Sequence, residues 1–238
     1  HFPDNSYFGL LMDNEISNIE KVLNSYEKPF TAIIGGSKVS DKVGIILNLM
    51  DKADNILIGG AMAYTFLKAQ GEQVGKSRVE EEKLDLAREI LQKGIDKGIR
   101  ILLPADSVCT KEFEENADVE IHESVNIPAD MMGLDIGEKA IADYKQIIAE
   151  SKTILWNGPM GVFEWDKFAN GTKSIAFAVA DASKTNGAYS LIGGGDSVAA
   201  INKFNLDEQV SYVSTGGGAM LEFLEGKELP GIAAIRGK

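Results

Sequence analysis

Apolar residues follow two alternating patterns along this chain. Short continuous apolar runs recur near residues 30–34, 55–58, 99–103, 152–156, 188–192 and 210–213. Runs of that length, apolar on both faces, predict strands of a parallel sheet covered on both sides. Between them, apolar positions return at helical spacing near 40–53, 61–70, 80–97, 138–150, 167–184, 197–203 and 218–225. Ahead of the first strand, Met12, Ile16, Ile19, Leu23 and Tyr26 predict an amphipathic helix over 11–26, ended by Lys28-Pro29. Residues 1–10 read as irregular. Strands alternating with helices define an α/β fold, with helices on both faces of the sheet.

The rhythm breaks at 104–137, which Pro104, Pro128, Gly133 and Gly137 punctuate. Within it, Val119 to Glu123 alternates like a short, half-exposed strand. A connection this long inside a compact domain is usually functional or holds a small hairpin. Glu80-Glu81-Glu82 reads as the solvated first turn of a helix, where acids suit the dipole.

Most of the predicted strands end in glycine or a small polar residue. In a parallel sheet these ends share one edge, the edge at which open α/β sheets bind ligands. Glycine lets backbone approach a ligand closely, and helix N-termini offer free N–H groups to anions. Several such turns on one edge suggest a phosphate-rich ligand. Gly193-Gly194-Gly195-Asp196-Ser197 is either a phosphate cradle with Asp196 on Mg²⁺ or a tight turn with Asp196 as a cap. Lys38 and Lys42 lie four residues apart in the turn after the first strand. With a helix starting at Val39 or Ser40 they would share one side, and two ammonium groups there suit a polyphosphate. The alternative is a surface turn with ordinary lysines. Asn157 to Glu164 could hold a base and its ribose hydroxyls, or simply pack Trp156 and Phe163 into the core. Ser214 to Gly218 is a second anion turn or a flexible connection.

Composition narrows the field. The net charge is −12 and no Lys/Arg run stands out, so nucleic-acid and anionic-membrane partners are not expected. No apolar stretch approaches the roughly 18–20 residues of a membrane span. The single cysteine, Cys109, excludes an internal disulfide, agrees with a reducing compartment and reads as inert packing. There is no P-loop string, and no Gly-x-Gly-x-x-Gly follows the first strand, which argues against a nicotinamide enzyme. His1 and His122 are the only histidines, and neither reads as a catalytic base. The chain begins at His1-Phe2-Pro3 without a signal-peptide pattern and reads as a piece of a longer one.

Taken in order, GGSKVSDK (35–42), GGAMAYTFLK (59–68), MGLDIG (132–137), WNGPMGVFEW (156–165), IGGGDS (192–197) and STGGGAMLEFLEGKELPG (214–231) resemble phosphoglycerate kinase. The resemblance is to its C-terminal, nucleotide-binding half and covers essentially the whole chain. It implies a three-layer αβα, Rossmann-like domain with a six-stranded parallel sheet over 27–230. Residues 1–26 would be a lead-in and interdomain helix, and 231–238 a tail returning to the absent N-terminal domain. Apolar surface on that helix and tail should be exposed here, or the segments disordered.

The implied activity is reversible phosphoryl transfer between 1,3-bisphosphoglycerate and ADP in glycolysis, in a cytoplasmic monomer. Cofactor and substrate would be Mg²⁺ with ADP or ATP. By resemblance, Gly36, Ser37, Gly60, Leu134, Pro159 and Val162 enclose base and ribose, and Glu164 accepts from the ribose hydroxyls. Lys42 and Asn157 meet the phosphates, while Lys38 meets the phosphoryl group in flight. Gly194, Gly195 and Ser197 follow the phosphate chain, with Asp196 on the metal. Gly216, Gly217 and Gly218 face the transferring phosphoryl, and Lys38, Gly195 and Gly218 form the catalytic set. The absent N-terminal domain would supply the phosphoglycerate site, so this half alone should bind nucleotide with little or no turnover. The alternative is a non-catalytic nucleotide-binding module.

Overall fold

The computed structural model describes residues 7–236. The readings made for residues 1–6, His1 among them, and for 237–238 lie outside the described residues. The central sheet contains β1 (Phe30–Ile34), β2 (Asn55–Ile58), β4 (Arg100–Leu102), β9 (Thr153–Asn157), β10 (Tyr189–Gly193) and β11 (Tyr212–Val213). All pair in parallel, in the order β11-β10-β9-β1-β2-β4.

Strand alternation divides the core in two. Phe30, Ala32 and Ile34 of β1 face one cluster together with Ile56, Ile58 and Leu155. Ile33, Leu57, Ile154 and Trp156 face the other. The first cluster is closed by α1 (Leu10–Asn24), α2 (Val43–Leu49), α3 (Met62–Ala69), α4 (Leu84–Lys97) and α8 (Gly217–Leu224). The second is closed by α5 (Glu138–Glu150), α6 (Asn170–Thr185) and α7 (Gly195–Lys203). This is the expected three-layer αβα arrangement. Burial of side chains on both faces, at about 25 cal/mol per Å² of apolar surface, is its main driving force.

The segment 104–137 holds more order than its sequence suggested. β5 (Asp106–Thr110) lies between β6 (Glu120–Glu123) and β8 (Met132–Ile136) in an antiparallel sheet. A two-residue parallel pair joins β3 (Gln73–Val74) to β7 (Asn126–Ile127). This small sheet fixes two helices by their first turns. Asp106 accepts from the N–H groups of Lys139 (3.1 Å) and Ala140 (2.8 Å) at the start of α5. Asp135 accepts from Gly171 N–H (2.7 Å) at the start of α6. Each carboxyl group satisfies helix donors that have no intrahelical partner.

Helix α1 buries Ile16, Ile19, Val22 and Leu23 but leaves Leu10, Leu11 and Met12 exposed, so apolar surface is indeed uncovered at its start. The tail differs from expectation. Pro230–Arg236 forms α9, with Ile232 buried and Arg236 donating to Glu20 of α1 at 2.8 Å. Pairing with α1 gives this short helix a partner within the chain. Glu80 is also not a merely solvated acid. It accepts from Ser40 Oγ (2.6 Å) and Ser40 N–H (3.2 Å), tying the start of a 3₁₀ turn to the loop after β1.

Candidate functional site

Strand order reverses between β1 and β9: the chain runs outward from β1 through β2 to β4, then returns to β9 and continues through β10 to β11. A crevice opens at the C-terminal ends of strands at such a switch point. Two glycine turns cross there. Gly35 N–H donates to Asn157 O (2.9 Å) and Gly36 N–H to Pro159 O (3.1 Å). A Cβ on either Gly35 or Gly158 would strike the other turn's backbone, so neither position has room for a side chain. Gly60 N–H bonds Met160 O, and a Cβ on Gly60, where φ is +67°, would strike Gly36.

A cleft of about 350 Å³ lies over these turns. Of the predicted residues, Gly36, Ser37, Gly60, Leu134, Pro159, Val162, Glu164 and Asp196 line it together. β8 contributes Leu134, whose carbonyl accepts from Val162 N–H at 2.9 Å and so joins two walls. Behind Leu134, Asp135 is sealed from solvent, and burial pushes its carboxyl up to about 8 despite bonds from Gly171 and Ile136 N–H.

Lys42, Asn157 and Gly193 form a chain beside the cleft. Lys42 Nζ donates to Asn157 Oδ1 (2.6 Å), and Asn157 Nδ2 donates to Gly193 O (2.6 Å). Lys42 is near enough to Gly36 that a Cβ there would sit 3.6 Å from its Cε. Burial lowers the pKa of the Lys42 ammonium below the usual lysine range, and the charges of Asp196, Asp41 and Glu225 pull it back up. The helix after this turn starts at Val43, not at Val39 or Ser40. Lys42 is therefore its N-cap residue, and exposed Lys38 sits in the preceding turn rather than one helical turn away on the same face.

Gly194 caps α7 with φ +90°, and a Cβ there would press on Asn157 Nδ2. Gly195 opens the helix, and a Cβ on it would meet nothing. Asp196 in the first turn faces the cleft as its one carboxylate from α7. Ser197, expected along the phosphate chain, lies in the first turn of α7. Its buried Oγ accepts from Gly158 N–H at 2.5 Å, which ties the start of α7 to the turn after β9. Gly216, Gly217 and Gly218 follow β11, next to the end of β10, where Ser214 N–H bonds Ile192 O at 2.8 Å. Glu15 of α1 grips this turn, accepting from Ser214 Oγ (2.8 Å), Thr215 N–H (2.7 Å) and Thr215 Oγ1 (2.7 Å). Those hydrogen bonds hold the Glu15 carboxyl below its ordinary pKa against the opposing effect of burial, which is the largest single influence on it. Cβ atoms on Gly217 and Gly218 would meet open space.

Several cleft residues escaped the sequence reading: Ala61, Lys76, Arg78, Phe113, Met132 and Gly133. The signal available for the last three was the broken rhythm of 104–137. Phe113 is an exposed aromatic whose ring lies 4.7 Å from that of Trp165, centroid to centroid.

A sequence profile described as phosphoglycerate kinase matches residues 1–227. The chain belongs to the phosphoglycerate kinase family. It is 53% identical over 234 residues to a phosphoglycerate kinase of Porphyromonas gingivalis, covering 98% of this chain and 56% of that protein. Against the phosphoglycerate kinase of Thermosipho africanus it is 54% identical over 234 residues, covering 98% and 58%. The solved phosphoglycerate kinase of Coxiella burnetii superposes with a TM-score of 0.92 at 43% identity, over 96% of this chain and 58% of that one. That of Pyrococcus horikoshii gives 0.83 at 32% identity, over 96% and 56%. The chain thus spans a little over half the length of the phosphoglycerate kinases it matches. Among the described residues no helix is long and apolar enough to cross a membrane.

Proposed function

We propose that the switch-point cleft binds Mg-ADP or Mg-ATP, and that this chain is the nucleotide half of a phosphoglycerate kinase. The observation that carries the reading is the convergence of Asp196 and the glycine turns on one cleft at the reversal of strand order, with the Lys42–Asn157 pair beside it. Val162, Leu134 and Pro159 offer an apolar wall to a base, and Glu164 an acceptor to ribose hydroxyls. Lys42 and the free N–H groups at the start of α7 offer charge and donors to phosphate oxygens.

Among the described residues no group of three or more His, Cys, Asp or Glu side chains could cage a metal. A single carboxylate such as Asp196 still suits magnesium, which keeps waters and takes most other ligands from substrate phosphates. Bound there, the ion supplies neutralisation of phosphate charge. Lys38 and the N–H groups of Gly195, Gly217 and Gly218 would then orient and stabilise the phosphoryl group passing between ADP and the acyl phosphate of 1,3-bisphosphoglycerate, with Gly216, whose N–H bonds Ser214 Oγ, opening that turn toward it. The attacking ADP oxygen needs no strong base, so the work is positioning and electrostatics. The phosphoglycerate site belongs to the further length present in the relatives. This half alone binds nucleotide without appreciable turnover, as a monomer of the cytoplasm.

A calorimetric titration with ADP, with and without Mg²⁺, tests this on the chain and on Asp196→Asn. Saturable binding that weakens in the variant only when Mg²⁺ is present is the expected result. A folded chain that binds no nucleotide refutes the reading. Because the chain spans only part of its relatives, a purely nucleotide-binding role is the second reading. It is favoured if adding the remaining half as a separate chain restores no turnover.

A further inference from the structure

Residues 75–78 and the start of β8 form one wall of the cleft. Lys76 N–H donates to Met131 O at 2.7 Å, and Gly133 N–H donates to Ser77 Oγ at 3.0 Å. Ser77 is therefore turned into the protein, where it is buried. Its neighbours Lys76 and Arg78 are exposed, and both line the cleft. Among the described residues neither side chain forms an ion pair or a hydrogen bond, although the whole chain has a net charge of −12. The acidic groups of the cleft lie elsewhere. Asp196 is on α7, and Glu164 is tied to α7 through its carbonyl, 3.4 Å from Lys203 Nζ.

The wall at Lys76 and Arg78 thus offers hydrogen-bond donors and no side-chain acceptor. An ammonium and a guanidinium cannot accept from the exocyclic amine at C6 of adenine. A 6-oxopurine presents O6 and N7 side by side as acceptors, a pair that a guanidinium fork meets with two bonds. We propose that the cleft takes 6-oxopurine nucleotides, those of guanine or hypoxanthine, at least as tightly as adenine nucleotides, with Arg78 setting that preference and Lys76 assisting. The proposal rests on the reading that this cleft holds a nucleotide with its base on this side.

The test is calorimetric titration of the chain with ADP, GDP and IDP at fixed Mg²⁺, repeated on Arg78→Leu and Arg78→Lys. GDP and IDP should bind the unaltered chain as tightly as ADP or more so. Arg78→Leu should weaken GDP and IDP about tenfold more than ADP, toward the low end for one bidentate contact because this wall is open to water. Arg78→Lys keeps a charged donor but loses the fork, and should fall between the unaltered chain and Arg78→Leu. Binding of ADP alone overturns the proposal while leaving the nucleotide reading intact. So does an equal loss for all three nucleotides in Arg78→Leu, or full GDP affinity in Arg78→Lys. No binding of any nucleotide removes the nucleotide reading, and the proposal with it.

Discussion

Lys42→Met separates the structural role of this lysine from its proposed work on phosphate. In the folded chain, Lys42 Nζ donates to the buried Asn157 Oδ1 at 2.6 Å, and Asn157 in turn supports the Gly193 carbonyl. A hydrogen bond to a charged group contributes about 1.5–3 kcal/mol net. Methionine keeps the stem packed and removes a charge that burial disfavours, so part of that loss is returned. The expected destabilisation is about 1–2 kcal/mol, visible as a lower urea midpoint with an unchanged slope. Nucleotide affinity should respond more. Losing one charge-assisted contact to a phosphate weakens ADP by about 1.5–3 kcal/mol, roughly 10- to 150-fold. Adenosine lacks phosphates, so its affinity should not change. The assay is parallel titration of both ligands on the unaltered chain and the variant, under conditions where both are folded. Refutation would be an ADP affinity within about threefold of the unaltered chain, a difference of less than 0.7 kcal/mol. An equal loss for adenosine and ADP would also refute it, because the lysine would then shape the cleft rather than meet phosphate.

Asp135 predicts a pH signature. Its carboxyl is raised to about 8 by burial, against about 3.9 in an unfolded chain. Between those values the native state keeps a proton that the unfolded state has released, so stability should fall as pH rises from about 4 to about 8. Asp135→Asn should flatten that slope in urea melts across the window, and an unchanged slope would show that other groups set it. Gly60→Ala forces a side chain into left-handed backbone against Gly36 and should cost at least about 2 kcal/mol. Gly218→Ala, in open space within α8, should leave stability unchanged or raise it by up to about 1 kcal/mol. A urea series on both variants checks the contrast, which fails if the two lose stability equally. In a full-length enzyme, Lys38→Ala should lower kcat by about 10²–10³ in a coupled assay. A full-rate variant would remove Lys38 from the transfer step.

The central sheet was legible because its strands are apolar on both faces. Phe30 to Ile34 and Ile154 to Trp156 have no reading other than a covered strand. Of the small antiparallel sheet only β6 was legible, as the alternation at Val119 to Glu123, and β5 and β8 were not, for a physical reason. Asp106, Ser107, Thr110 and Asp135 are polar yet buried, because helix N-termini and neighbouring hydroxyls satisfy them in three dimensions. No periodicity reveals such a partnership. At the site, the glycine turns were visible as spacing, but the direction of a side chain was not. Ser197 reads as a residue along a phosphate chain, and nothing in its spacing shows that its Oγ closes the Gly158 turn. Lys38 and Lys42 read as one helical face, yet the helix begins only after both. The wall of Lys76, Arg78 and Phe113 comes from segments far apart in the chain that meet only through tertiary hydrogen bonds.

The two tryptophans sit in unequal surroundings, and this gives the cleft an optical reporter. Trp156 is fully buried, with its indole N–H bonded to Gly158 O at 2.8 Å. Trp165 is only half-buried and leans on Phe113, which lines the cleft. A molecule settling against Phe113 alters the solvent and contacts around one indole while the other keeps its environment. Emission from Trp165 therefore records occupancy without an attached dye, and Trp156 supplies a steady reference within the same spectrum.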